Sequence, residues 1–139
     1  KVCLDLNKKF NNKVYILRLP GIFGKGCKPN YNSVVATFCY NTVNNIKLNI
    51  INPEKEIELL FNEDLCEQLS SLINQKSSEK FIKLKNIQKI SIKKLASTIK
   101  SFQNNPHDFI LLKSKDLLKN NLYKTYISYK SYKKLQAYD

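Results

Sequence analysis

The apolar positions of this chain fall into short clusters that differ in period. Val14 to Leu17, VYIL, is wholly apolar and rich in β-branched and aromatic residues. Such a run predicts a strand covered on both faces and parallel to its sheet neighbours. The chain then turns through Pro20, Gly21 and Gly24 and crosses a polar loop with Lys25, Lys28, Asn30 and Asn32. From about Ser33 the run VVATFCYN predicts an apolar helix to about Asn44. Strand, glycine-bearing loop, helix start is the order that places a ligand beyond the carboxyl end of a strand in α/β proteins.

The remaining clusters can be arranged around that junction. Val2 to Phe10 reads as the tail of an amphipathic helix, ended by Asn11 and Asn12. Lys47 to Ile51 and Glu56 to Phe61 read as two short strands around a turn at Asn52-Pro53. Asp64 to Asn74 places Leu65, Leu69, Leu72 and Ile73 on one helical face, with Glu63 and Asp64 suiting its N-terminus. Phe81 to Leu84 is a further strand. Ser91 caps a helix from Ile92 to about Gln103, whose Leu95, Ile99 and Phe102 recur at helical spacing. Ser114 caps the last helix, Lys115 to about Lys130, with Leu118, Leu122, Tyr126 and Tyr129 on one face. The fold class is α/β, with one domain over 1–130 and a basic tail over 131–139.

Composition narrows the function. A chain of 139 residues that is 42% hydrophobic is long and apolar enough for one folded core. No apolar run approaches the ~18 residues that span a bilayer, so no membrane partner is expected. The chain has no Met and opens inside a helix-like segment, and it is expected to be a fragment of a longer protein. The net charge of +13 divides into +7 over 1–52, −5 over 53–79 and +11 over 80–139. Nearly all the cation is Lys, with Arg18 the lone Arg, whereas nucleic-acid readers lean on Arg for bidentate contacts. A solvated lysine surface of AT-rich coding is therefore favoured over a specific nucleic-acid footprint.

Cys3, Cys27, Cys39 and Cys66 form no CxxC or CxxH pair, which argues against a zinc site. Cys39 and Cys66 read as buried small hydrophobes, and free thiols suit a reducing cytoplasm. The single His107 sits in a breaker-rich loop and reads as a surface histidine.

The run from Arg18 to Cys39, RLPGIFGKGCKPNYNSVVATFC, resembles the NAD-dependent epimerase/dehydratase family of extended short-chain dehydrogenases. The likeness is greatest to capsular-polysaccharide members that carry a C-terminal cupin domain and reduce UDP-linked 4-keto-6-deoxy sugars. It continues through INPEKEIELLFNEDL and, more faintly, KISIKKLASTIKSF and LLKNNLYKTYISY. The resemblance implies the last strand and helices of a Rossmann-like half plus the small substrate-binding subdomain. It also implies that the family's glycine-rich dinucleotide loop, catalytic Ser or Thr and Tyr-x-x-x-Lys pair are absent here. The expectation is thus no catalytic residue and no NAD(P) bound by this chain alone.

A few roles carry over by position. Leu19 and Pro20 match residues against the nicotinamide ring. Gly21 stands where the family typically has a substrate-holding Asn. Lys28, Asn30, Tyr31, Asn32 and Ser33 match the loop and helix start that face the UDP-sugar. A Lys, amide donors and a helix N-terminus suit a pyrophosphate, although turn and cap chemistry accounts for Asn30 and Asn32 equally well. Gly26 replaces a common bulky aromatic, Asn62 and Glu63 replace an apolar-plus-Asp pair, and Asp64 reads as a capping carboxylate. The implied partners are a weakly held UDP-sugar and a dinucleotide half or cupin domain. The competing readings are a small basic nucleic-acid-binding domain and an interaction module.

Overall fold

The computed structural model describes residues 14–74, 81–104 and 115–136. The predicted helix over Val2 to Phe10, His107 and the Ser114 cap lie outside them. The elements in order are β1 (Ile16–Leu17), β2 (Gly21–Phe23), α1 (Val34–Val43), β3 (Glu56–Phe61) and α2 (Asn62–Asn74). After these come β4 (Phe81–Ile82), β5 (Gln88–Ser91), α3 (Ile92–Ser101), a 3-10 turn (Phe102–Asn104) and α4 (Leu117–Gln136).

The strands form two small sheets. β1 pairs in parallel with β4, Ile16 opposite Phe81. The second sheet has the order β2-β3-β5, with β2 parallel and β5 antiparallel to β3. The parallel direction of the VYIL strand matches expectation; its expected cover does not. Only Ile16 and Leu17 are strand, and both are half-buried, because among the described residues β4 alone lies beside them.

β3 is the middle strand of the second sheet. Glu56 and Glu58 point outward, while Leu59, Leu60 and Phe61 are buried at its carboxyl end. Glu58 faces Lys89 across the ladder at 3.3 Å, an exposed pair that contributes about 0.2–1 kcal/mol.

The core lies where α1, α3 and α4 meet this sheet. It is built from Val35, Phe38, Leu95, Ile99, Leu122 and Tyr126, among others. The Phe102 ring stands edge-on to Tyr123 with centroids 5.2 Å apart, fastening the end of α3 to α4. The expected apolar faces of α3 and α4 are those buried. Capping fixes where these helices start. Ser33 Oγ accepts from Ala36 N–H at 3.2 Å and Ser91 Oγ from Lys94 N–H at 3.3 Å. Each such cap is worth about 1 kcal/mol. For α4, Asp116 Oδ1 accepts from Lys119 N–H at 3.0 Å, and the helix runs on to Gln136 through much of the expected tail.

Four expectations need correction. Gly21 to Phe23, read as loop, is β2, whose pairing with β3 overrides its glycine. Gln88 to Ser91 is a strand that the sequence reading did not separate from the helix after it. Lys47 to Ile51 is not a strand. Among the described residues no strand lies beside it to share a ladder, and Asn45 (φ 58°) and Asn52 (φ 53°) turn the chain at either end. Lys55 N–H closes the expected turn onto Asn52 O at 3.0 Å. Finally, the apolar stripe of α2 is turned outward: Ile73 is 84% exposed, and Leu69 and Cys66 are exposed with it. α2 is instead tied down by its Gln68 amide, which exchanges hydrogen bonds with the Lys85 backbone at 2.7 and 3.3 Å.

Candidate functional site

β1 ends at Leu17, and Arg18, Leu19 and Pro20 carry the chain over into β2. There Leu19, Pro20 and Gly21 line a cavity of about 440 Å³ with Asn32, Ser33 and β3 residues Ile57 to Leu59. A neighbouring cavity of about 650 Å³ is lined by Asn30, Tyr31, Asn32 and Ser33 with Asn41 and Asn49. Asn32 and Ser33 belong to both, so the two cavities form one crevice at the carboxyl end of β1 and the N-terminus of α1.

The loop entering α1 is pinned from within. Asn30 adopts φ 55°, the left-handed conformation that Asn tolerates. Its N–H donates to Thr37 Oγ1 at 2.9 Å, and that hydroxyl donates to Ser33 O at 2.9 Å. Ser33 then caps α1, whose positive dipole end is turned to the crevice. The Tyr31 ring is 75% exposed, with Lys28 Nζ 5.9 Å from its centroid.

Of the residues singled out in the sequence, the fold brings Leu19, Pro20, Gly21, Asn30, Tyr31, Asn32 and Ser33 to this crevice. Lys28 is set apart. It lines a separate cavity of about 470 Å³ with Cys27, Tyr40 and Tyr129, joined to the crevice only through its approach to Tyr31. Asn41, Asn49 and Glu58 line the crevice but were not anticipated. Asn41 had a readable signal, since Ser33, Thr37 and Asn41 follow one another at four-residue spacing on one helix face. Asn49 and Glu58 had none.

The lining is rich in side-chain amides and hydroxyls, which suit a ligand with many acceptors and donors. Asp64 lies in the first turn of α2, away from both cavities. Among the described residues, no group of three His, Cys, Asp or Glu side chains could hold a metal. Beside Lys28, the Tyr129 hydroxyl donates to the Cys27 carbonyl oxygen. Burial, with the Cys27 and Cys39 thiols adding to it, pushes that phenol up to about 12. Burial also pushes the Cys39 thiol well above its ordinary value, while Cys66 is exposed on α2, against the sequence reading.

Among the described residues, the glycines do not form the pyrophosphate loop of a dinucleotide site. A pyrophosphate loop needs glycines that let the backbone approach the phosphates. A Cβ at Gly21 would stand 3.1 Å from Glu58 O, and one at Gly24 would stand 2.1 Å from Asn62 Oδ1. Both glycines serve packing, and Gly26 alone faces open space.

No family model matches the chain. It is 35% identical over 117 residues, 84% of its length, to the UDP-2-acetamido-2,6-beta-L-arabino-hexul-4-ose reductase of Pseudomonas aeruginosa. The chain belongs to the NAD-dependent epimerase/dehydratase family. It matches a C-terminal part of the family's reductase region and spans about a third of that relative, 32% of its length.

Solved structures of the family agree. The capsular polysaccharide assembling protein CapF of Staphylococcus aureus superposes with a TM-score of 0.81 at 29% identity, over 92% of this chain and 36% of that one. The Bordetella bronchiseptica enzyme WbmF, solved with NADH, superposes with a TM-score of 0.78 at 16% identity, over 96% of this chain and 50% of that one. At that identity WbmF speaks for the fold, which is mixed α/β and related to Rossmann-like epimerases and reductases. No helix among the described residues is long and apolar enough to cross a membrane.

Proposed function

We propose that this chain is the substrate-side part of an NAD(P)-dependent nucleotide-sugar reductase or epimerase making precursors of surface (capsular) polysaccharide in the cytoplasm. Its crevice takes the UDP-sugar. The observation that carries this reading is the meeting of Leu19–Gly21 with Asn30–Ser33 in one crevice at a strand end and a helix N-terminus. β1 and β4 are then the margin of a Rossmann sheet, and β2-β3-β5 with α3 and α4 form the substrate subdomain. The incomplete cover of the β1–β4 pair, with β1 half-buried and Phe81 exposed, supports this, because parallel strands are ordinarily covered on both faces. The dinucleotide loop and the Tyr-Lys pair belong to a separate Rossmann half that completes the site. NAD(P) would supply the hydride there, with Leu19 and Pro20 lying against its nicotinamide ring.

Titration calorimetry of the purified chain tests the reading. UDP should bind weakly, and NADPH should give no heat. Asn32→Ala, at the junction of the two cavities, should weaken UDP several-fold, the value of one neutral hydrogen bond of about 1 kcal/mol. Lys28→Ala should weaken it less, since Lys28 reaches the crevice only past Tyr31. Micromolar NADPH binding, or UDP binding indifferent to both substitutions, would remove the assignment.

A further inference from the structure

The segment from Ile46 to Ile50 has two sides. Asn49 lines the crevice described above, whereas Leu48 and Ile50 line a groove of about 600 Å³ on the other side. The opposite wall is a single stripe of α3, formed by Lys93, Ala96, Ser97 and Lys100 at spacings of three and four. Both ends of the groove are braced. At one end the Gln103 amide donates to Thr42 O at 2.6 Å and to Asn45 Oδ1 at 3.0 Å. At the other, Ile92 and Lys93 N–H groups donate to Lys55 O and Pro53 O at 3.0 and 2.9 Å.

The lining is apolar along its floor and cationic along its rim. Lys47, Lys93 and Lys100 border the groove, and among the described residues no carboxylate lines it. Lys93 is paired with Glu54 at 3.5 Å, and among the described residues Lys47 and Lys100 have no ion pair. Thr42 is 4% exposed and lines the groove, and among the described residues its Oγ1 has no hydrogen-bond partner. Buried hydroxyls are rarely left so, and an acceptor lying in the groove would satisfy this one. The volume falls within the range of small-molecule sites.

We infer that this groove is a second binding site, for an amphiphilic anion: an alkyl or aryl chain bearing a phosphate or carboxylate head. The chain lies along Leu48, Ile50 and Ala96, and the head meets Lys47 and Lys100. This site does not rest on the UDP-sugar reading, because the two cavities lie on opposite sides of the 46–50 segment.

Calorimetry with decyl phosphate and decanoate, both below their micellar concentrations, tests it. At least one should bind saturably, and about tenfold tighter than decanol or inorganic phosphate, the difference one charge-assisted contact makes. Ser97→Phe fills the groove from an exposed position and should abolish binding, with UDP binding kept. The double variant Lys47→Glu/Lys100→Glu alters only exposed side chains and should weaken the anions at least tenfold, a guard against misfolding of the first variant. Thr42→Val should weaken binding while raising the thermal midpoint. Absence of saturable binding, equal binding of decanol or inorganic phosphate, or binding unchanged by both lysine reversal and Ser97→Phe would overturn the site.

Discussion

The Tyr129 hydroxyl donates to the carbonyl oxygen of Cys27, a residue 102 positions earlier in the chain. This bond ties the middle of α4 to the loop that leads into α1, and it forms one wall of the cavity holding Lys28. It is the side-chain bond that anchors the candidate loop to the C-terminal helix.

Tyr129→Phe should cost about 0.5–1.5 kcal/mol of stability at neutral pH, the net value of one hydrogen bond. The pH dependence separates this bond from simple packing. The phenol rises from 10.0 to about 12 in the folded chain. A raised folded value contributes stability that is fully present below pH 10 and lost as the pH climbs through about 12. Urea midpoints of the two proteins should therefore differ at pH 7 and converge above pH 10. A constant difference across that window would show that the hydroxyl plays no part.

Gly24 adopts φ 154°, and a Cβ there would stand 2.1 Å from the Asn62 side chain. Gly24→Ala should cost about 1–3 kcal/mol from backbone strain and crowding together. Asn62→Ala clears the crowding alone, so the double variant should recover part of the loss and leave the share due to φ. Equilibrium denaturation of the four proteins measures both. A strictly additive cycle would mean that the two side chains do not meet.

The contrast between the α1 loop and α2 explains how much of this fold was legible. Local rules worked where local chemistry decides the outcome. Ser33 and Ser91 cap the predicted helices, and the Leu95, Ile99, Phe102 spacing names a buried face. The family was legible in a contiguous run, KPNYNSVVATFC, and so were the crevice residues between Leu19 and Ser33. What failed depends on partners far away in sequence. β2 exists because β3 lies beside Gly21 to Phe23, and nothing in those three residues announces it. Leu69 and Ile73 have helical spacing, yet no described element covers them. Asn49 and Glu58 enter the crevice through the path of the chain, which a linear pattern does not encode. The separation of Lys28 from Asn30, two residues apart, arises from the φ 55° turn at Asn30.

The net charge of +13 predicts association with polyanions. The three ion pairs among the described residues are exposed and leave most lysines to solvent. Retention on heparin or a DNA duplex should be independent of sequence and lost by about 0.5 M salt, where the Debye length is well below 10 Å. Sequence preference, or retention at that salt, would favour a nucleic-acid role over the sugar-nucleotide one.

Gly21 offers a test of the crevice by gain rather than loss. The resemblance sets a typical Asn of the family at this position, which lines one cavity with Pro20, Asn32 and Ser33. The obstacle is steric, because a Cβ would meet Glu58 O at 3.1 Å and Leu59 Cδ2 at 3.2 Å. The leucine can rotate away; the carbonyl oxygen lies in β3 and must shift with its strand. Replacing a strand glycine recovers about 0.5–1 kcal/mol of backbone entropy, which offsets a shift of a few tenths of an ångström. Gly21→Ala should therefore leave the denaturation midpoint nearly unchanged and UDP-sugar affinity unaltered. Gly21→Asn should match it in stability but bind a UDP-sugar roughly two- to tenfold tighter, as one added neutral hydrogen bond allows. Equal affinities for the two variants would mean that position 21 does not face the ligand.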